Sequence, residues 1–392
     1  MNHKLELKIA IASLGRFFVL DLARELDRLG THTRFYSYVP VSRGEKFGLR
    51  RQCQRSVLPL LVPLVAWQYY LPRLWPDIHE RFMFHALDAA VSARLEPCDV
   101  FVCMSGAYLG AARYAKRRYG AQIWLERASR HILSQREILA EVGARGPTDF
   151  TVARELAGYE LADRIVVPSS HVVESFREKA PHLVPKLFVN PYGVDLEQFP
   201  QRHETPPMTP PTVLFVGGWS IRKGADVLVE AIRKLGGVRL LHVGGIVDVP
   251  FPDDPRFEHV DPVPQWRLTE YYRRAHAFAL ASREDGFGMV LSQALASGLP
   301  VVSTDMTGGS DLRLTPALAD RIAVTPVGDA DAMARALQIM IDRALAGQVP
   351  QLADADRNLL SWSAYGARYA RELAECRRRS EATTSTDAAS AR

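Results

Sequence analysis

Short apolar runs alternate with amphipathic stretches along most of the chain. Leu7–Ala12 is an apolar run of strand length, followed by Ser13-Leu14-Gly15-Arg16. Phe18, Leu22, Leu26 and Leu29 then recur at spacings of three and four, which predicts a helix to about Leu29. Val100–Met104, Ile123–Leu125 and Ile165–Val167 read as further buried strands. The last is closed by Pro168-Ser169-Ser170, whose serines suit a helix cap. The alternation breaks at Thr205–Pro211, where four of seven residues are proline, a composition that excludes helix and central strand.

Beyond the break the alternation restarts. Strands are predicted at Val213–Val216, Val238–Val243, Phe278–Ala281 and Val301–Thr304, and helices at Gly224–Leu235, Met289–Ala296 and Ala330–Arg343. From about Leu359 the pattern is helical, with Trp362, Tyr365, Tyr369 and Leu373 on one face. Strands alternating with helices of this length imply parallel sheets covered on both faces. The expected architecture is α/β, with two doubly wound domains. The first spans residues 1–200 and is completed by a helix near 359–380; residues 201–211 link it to a second domain at 212–358. Residues 381–392, rich in Ser, Thr and Ala, are expected to be disordered.

The most apolar stretch, Val57–Trp75, approaches the roughly 20 residues of a membrane span. Pro59, Pro63 and Pro72 fall inside it and Arg73 sits near its end, so a buried or surface-docked broken helix is expected instead. At 392 residues, with 47% hydrophobic and 24% charged residues, the chain has the balance of a folded protein of two domains. Cys53, Cys98, Cys103 and Cys376 lack metal or redox-dithiol spacing and suit a reducing cytoplasm. The N-terminus reads as a first strand rather than a signal peptide. Net charge is +5, divided as +6 over residues 1–200 and −1 over the remainder. The basic clusters Arg50-Arg51-Arg55 and Lys116-Arg117-Arg118 belong to no nucleic-acid motif. A basic half does suit peripheral contact with an anionic membrane surface.

Ligands of open α/β sheets bind outside the carboxyl ends of the strands, so the strand-to-helix turns are the places where chemistry is expected. In Val216–Gly224, Gly217 and Gly218 let a polyanion approach the backbone, and Arg222-Lys223 precede a helix N-terminus. In Ser282–Gln293, carboxylates appear before Gly286 and Gly288, with Asp285 and Gln293 eight positions apart. Both side chains are suited to bridging neighbouring hydroxyls. The turn Thr307-Gly308-Gly309-Ser310-Asp311 offers backbone N–H groups to a phosphate.

The segments VPSSHVVESFREKA, VNPYGVDLEQF, LFVGGWSIRKGADVLVEAI and REDGFGMVLSQALASGLPVVSTDMTGG closely resemble glycosyltransferase family 4 in order and spacing. LSWSAYGARYARELAE resembles the family's C-terminal helix, and the N-terminal third looks like a bacterial branch. The resemblance implies a GT-B fold, two Rossmann-like domains facing a central cleft, with the last helix crossing back to the first domain. It implies a retaining, metal-independent transferase that moves a sugar from a nucleotide-diphosphate sugar to a cell-envelope, polysaccharide or lipid-linked glycan acceptor. No metal or further cofactor is expected.

On this pattern Arg222 and Lys223 hold the diphosphate, Asp285 takes the first position of the family's Glu-x7-Glu motif, and Gln293 the second, at the ribose diol. Gly15, Gly217, Gly218, Gly286, Phe287, Gly288, Met289 and Val290 complete the expected donor contacts. His131, followed by Glu126, Arg127 and Ser129 of the same loop, is a candidate near the reacting sugar, and Arg16 for an anion. The rival functions are a GT-B nucleotide-sugar epimerase and a non-catalytic nucleotide-sugar-binding protein.

Overall fold

The computed structural model describes residues 7–15, 17–70, 75–202, 204–207 and 209–390, and their side chains through Arg379 except that of Gln68. Arg16, Pro72 and Arg73 lie outside the described residues. Among the described residues, thirteen strands are interspersed with helices. The first seven are β1 (Lys8–Ser13), β2 (His32–Ser37), β3 (Gln54–Ser56), β4 (Val100–Met104), β5 (Gln122–Glu126), β6 (Arg164–Val167) and β7 (Leu187–Val189). They form one sheet in the order β3-β2-β1-β4-β5-β6-β7, parallel from β3 through β6.

The second sheet contains β8 (Thr212–Val216), β9 (Arg239–Val243), β10 (Phe257–Val260), β11 (Ala277–Leu280), β12 (Val301–Thr304) and β13 (Ile322–Thr325). Its order is β10-β9-β8-β11-β12-β13, and every pairing is parallel. The order in which strands are added reverses between β1 and β4 in one sheet and between β8 and β11 in the other. A ligand crevice belongs at such a switch point.

Residues 7–127, 148–166 and 362–390 make one compact unit, and residues 128–147 and 167–361 another. The sequence pattern places the boundary at 201–211. Residues 128–147 and 167–200, N-terminal to that boundary, group with the second unit by their contacts.

In the first unit, helix Phe18–Arg28 buries Phe18, Leu22 and Leu26 of its periodic face, while Leu29, its C-cap, is exposed. The closing helix starts at Trp362 and lies on it so tightly that a Cβ on Gly366 would come within 2.4 Å of Glu25 Cβ. Tyr369 packs on Trp124 of β5, with ring centroids 5.2 Å apart. The backbone helix runs to Ser390, through the segment expected to be disordered. Glu, Ala and Ser at its end contain neither Gly nor Pro to stop it.

The apolar stretch is also more regular than its prolines imply. Leu58–Tyr70 is a helix that carries Pro63 inside it and no charged side chain. It packs beside helix Pro76–Arg94, with Trp67 edge-on to His79 and His79 Nε2 at 3.0 Å from Leu64 O. Leu61 is buried, while Leu60, Val62, Tyr69 and Tyr70 are exposed, Tyr69 at 77%. No helix among the described residues is long and apolar enough to cross a membrane.

Candidate functional site

The loops after β8 and β11 meet at the second sheet's switch point. After β8, Gly217 takes φ +142° and its carbonyl accepts from His242 Nε2 at 2.9 Å. Ser220 Oγ accepts from Lys223 N at 3.3 Å, closing the turn Ile221–Lys223. Gly224, at φ +68°, starts the next helix. Its position tolerates no side chain, because a Cβ would meet Ala281 O at 1.9 Å. The glycine therefore brings the basic turn against the end of β11.

That contact sets the electrostatics. Arg222 Nη1 donates to Glu284 Oε2 and to Glu284 O, both at 3.1 Å, and Lys223 Nζ lies 2.5 Å from Asp285 Oδ2. Asp285 Oδ1 accepts from Phe287 N at 3.3 Å and Gly288 N at 3.1 Å. Burial by itself raises the Asp285 carboxyl. Lys223, Arg222 and the Phe287 N–H outweigh it and hold the group below its usual range. Arg283, between β11 and these acids, forks onto Asp226 at 2.6 and 2.7 Å and ties the loop to the helix that follows Gly224.

The remaining walls come from segments that precede β8 in sequence. Glu284 is fully buried and also accepts from Ser129 Oγ. A Cβ on Gly286 would stand 1.8 Å from Ala128 O. Gly286 O accepts from Ser169 Oγ at 2.6 Å and lies 3.2 Å from His171 Nε2. Ser169 thus braces the Gly286 loop rather than capping its own helix, because its hydroxyl is committed to Gly286. Burial and the nearby Arg130 push His171 down to about 4, so it stays neutral. Phe287 is buried edge-on to Tyr192. Gly288, at φ +77°, opens the helix Met289–Ala296, whose Met289 and Val290 are half-buried. Gln293, on that helix, accepts from the buried Tyr272 hydroxyl at 3.0 Å.

Several expectations change. The Gly308 N–H is bonded to Phe287 O at 2.8 Å and the Gly309 N–H to Thr307 Oγ at 3.3 Å, so neither is reserved for a phosphate. His131 is buried: its Nδ1 accepts from Leu133 N at 3.3 Å as a helix cap, and its ring stands edge-on to Phe176. The helix it caps begins at Ile132.

Gly15 lies in the first unit, after β1, where a Cβ would come no nearer than 3.7 Å to Tyr38 Oη, so packing does not require the glycine. Arg222, Lys223, Gly217, Gly218, Asp285, Gly286, Phe287, Gly288, Met289, Val290 and Gln293 share the second unit. Sequence reading missed Asp226, Tyr272 and Arg283 as supports of this site. Only the placement of Arg283 beside the acidic pair was a signal for any of them.

The sucrose-phosphate synthase of Thermosynechococcus elongatus superposes with a TM-score of 0.69 over 94% of this chain and 98% of its own, at 19% identity. The Anabaena protein HepE, solved in complex with UDP and glucose, gives a TM-score of 0.62 over 94% and 99%, at 13% identity. The shared architecture is GT-B.

Residues 210–343 match the family described as Glycosyl transferases group 1. A D-inositol 3-phosphate glycosyltransferase of Xylanimonas cellulosilytica is 32% identical over 185 residues, covering 37% of this chain and 43% of that protein. A GDP-mannose-dependent alpha-mannosyltransferase of Mycobacterium tuberculosis is 30% identical over 172 residues, covering 40% and 43%. The chain spans less than half the length of these curated relatives. The chain is thus similar to group 1 glycosyl transferases over residues 210–343 and shares the GT-B fold over 94% of its length.

Proposed function

We propose that the chain transfers a sugar, with retention and without a metal, from a nucleotide-diphosphate sugar to a glycan or lipid-linked acceptor. The observation that carries this reading is the paired basic turn at the switch point, Arg222 with Glu284 and Lys223 with Asp285. The acids hold two cations in place before any ligand arrives, and such preorganised charge is the largest usual contribution to stabilising a departing anion. The curated relatives are named as glycosyltransferases, one of them dependent on GDP-mannose, which agrees with a nucleotide-sugar donor.

In the proposed step, the bond between the anomeric carbon and the diphosphate oxygen breaks and its electron pair stays on that oxygen. Arg222 and Lys223 stabilise the charge. The acceptor oxygen bonds to the anomeric carbon on the same face, and its proton passes to the departing phosphate oxygen. No protein base is then needed. Asp285 holds sugar hydroxyls and Gln293 the ribose diol, the roles implied by the family pattern.

Nucleoside diphosphate release with and without a cell-envelope acceptor extract tests the reading. Acceptor-dependent release is expected. Sugar interconversion without release would instead establish an epimerase, and binding without either reaction a non-catalytic module. A thermal-shift panel of UDP-, GDP- and ADP-sugars then identifies the donor by the largest stabilisation.

The proposed site of action is the inner membrane surface, reached from the cytoplasm. The support is the helix Leu58–Tyr70, uncharged and exposed at Leu60, Val62, Tyr69 and Tyr70, within a basic half of the sequence. Co-sedimentation with anionic but not neutral vesicles, weakened by salt, is the expected result. Binding indifferent to lipid charge and salt would remove this attachment and leave the transferase reading standing.

A further inference from the structure

The amino ends of the second unit's strands, at the opposite pole of the sheet from the basic turn, carry another group of cations. Arg202 donates through Nη1 to Ala275 O, two residues before β11, and through its backbone N–H to Ser297 O at 3.2 Å. Arg321 stands immediately before β13, and its carbonyl accepts from Val301 N, at the start of β12, at 2.7 Å. Arg343 donates through Nη1 to Asp320 O at 2.6 Å. β11, β12 and β13 are neighbours, so these anchor points lie within about 10 Å, two strand spacings.

None of the three guanidiniums has a carboxylate partner among the described residues, and that of Arg321 has no hydrogen-bond acceptor there either. Arg321 is nevertheless only 4% exposed. His276, beside Arg202, adds no charge. Its Nδ1 accepts from Thr212 N at 3.1 Å, which leaves Nε2–H to donate to Pro206 O at 3.1 Å. Burial and Arg321 push Arg202 down to about 10; burial and Arg343 do the same to Arg321. Both remain charged at neutral pH.

Buried arginines are ordinarily paired, because an uncompensated interior charge is costly. A forked guanidinium matches the geometry of a tetrahedral oxyanion. We infer that Arg202, Arg321 and Arg343 form a binding site for a small phosphate-type oxyanion, either free phosphate or the phosphate of a phosphorylated metabolite. This inference does not depend on the donor site.

The test is thermal unfolding of the full chain in inorganic phosphate against chloride at matched ionic strength. Lys223→Ala is included to weaken phosphate binding at the basic turn. Phosphate is expected to raise the melting temperature of both the parent protein and Lys223→Ala. Arg343→Gln should weaken the apparent phosphate affinity about tenfold, the usual worth of one charge-assisted contact. Arg321→Met should abolish the response and, with its buried charge gone, melt higher than the parent without phosphate.

Glucose 6-phosphate is the second probe. Tighter binding than inorganic phosphate assigns a phosphorylated metabolite, and equal binding assigns free phosphate. No phosphate response in Lys223→Ala, or an undiminished response in Arg343→Gln, overturns the site even if Arg321→Met fails to fold.

Discussion

Asp285 and Glu126 are both carboxylates at the carboxyl ends of strands, one in each compact unit, and the two environments move them in opposite directions. Burial raises both. At Asp285 the ammonium of Lys223, 2.5 Å away, and the guanidinium of Arg222 reverse that effect. Glu126 ends β5 with only the Tyr369 hydroxyl acting against burial, and it is pushed up to about 8. The neighbouring Arg127 does not help, because it is committed to Glu155 at 2.8 Å. Burial alone therefore neutralises a carboxyl group in this protein; a dedicated cation keeps it charged. One arrangement suits anchoring a charged ligand, the other a closed core.

The sharpest way to break the contrast is to remove the cation. Lys223→Ala should lower turnover on the order of 10²-fold through loss of charge stabilisation at the leaving diphosphate. It should also cost about 1–3 kcal/mol in stability, because Asp285 is left without its partner. Read as an exposed turn residue, Lys223 would contribute almost nothing to stability. Initial rates and denaturant unfolding of the same variant measure both effects, and near-normal transfer by a folded variant would remove this turn from the mechanism.

Next in size is the contact that creates the pairing. Gly224→Ala drives a Cβ into Ala281 O at a backbone angle that side chains rarely adopt, and should cost about 1–3 kcal/mol or more. Calorimetric unfolding without ligand checks it. A neutral result would mean that the two loops can separate without loss.

Glu126 gives a pH test with the opposite sign from Asp285. Its folded-state group binds a proton more tightly than the unfolded chain, whose value is near 4.5. The stabilisation is fully present below 4.5 and lost as pH rises toward 8, at up to about 1.4 kcal/mol per unit. Asp285 contributes stability above its unfolded value, and that contribution fades as pH falls. Unfolding curves across this range should show the Glu126 slope, and Glu126→Gln should flatten it. An unchanged slope in the variant would assign the dependence to another group.

The smallest expected change is at Gln293. Gln293→Glu keeps an oxygen for the Tyr272 hydroxyl and restores the acid of the family pattern, so donor KM and kcat should remain within about one order of magnitude. Abolished donor binding would show that the amide N–H groups perform a task that a carboxylate cannot.

Much of this was legible in the chain. The alternation of apolar runs and helical periodicity marked most strands of both sheets, because a strand covered on both faces is apolar throughout. The strands β2, β3, β7, β10 and β13 were missed: β3 and β7 are three residues long, too short for a periodic signal, and β2 (HTRFYS) and β10 (FEHV) mix polar residues into the run. The basic turn and the Asp285–Gln293 spacing were visible because a strand-to-helix turn keeps its residues contiguous. The supports of the site were not. Ser129 reaches Glu284 across 155 residues and Ser169 reaches Gly286 across 117, and no local pattern encodes either contact.

The sequence by itself determined two parallel α/β sheets, the turns that carry chemistry and the resemblance to a sugar-transferring family. These follow from periodicity and from groups adjacent along the chain. Only the tertiary structure decided which charges are paired. It matched Lys223 to Asp285 and Arg222 to Glu284, gave Arg127 to Glu155, left Glu126 beside Tyr369, and brought Arg202, Arg321 and Arg343 together without an acid among the described residues. The reason is that charge interactions depend on distance and burial, and both are set when strands remote in sequence come to lie side by side.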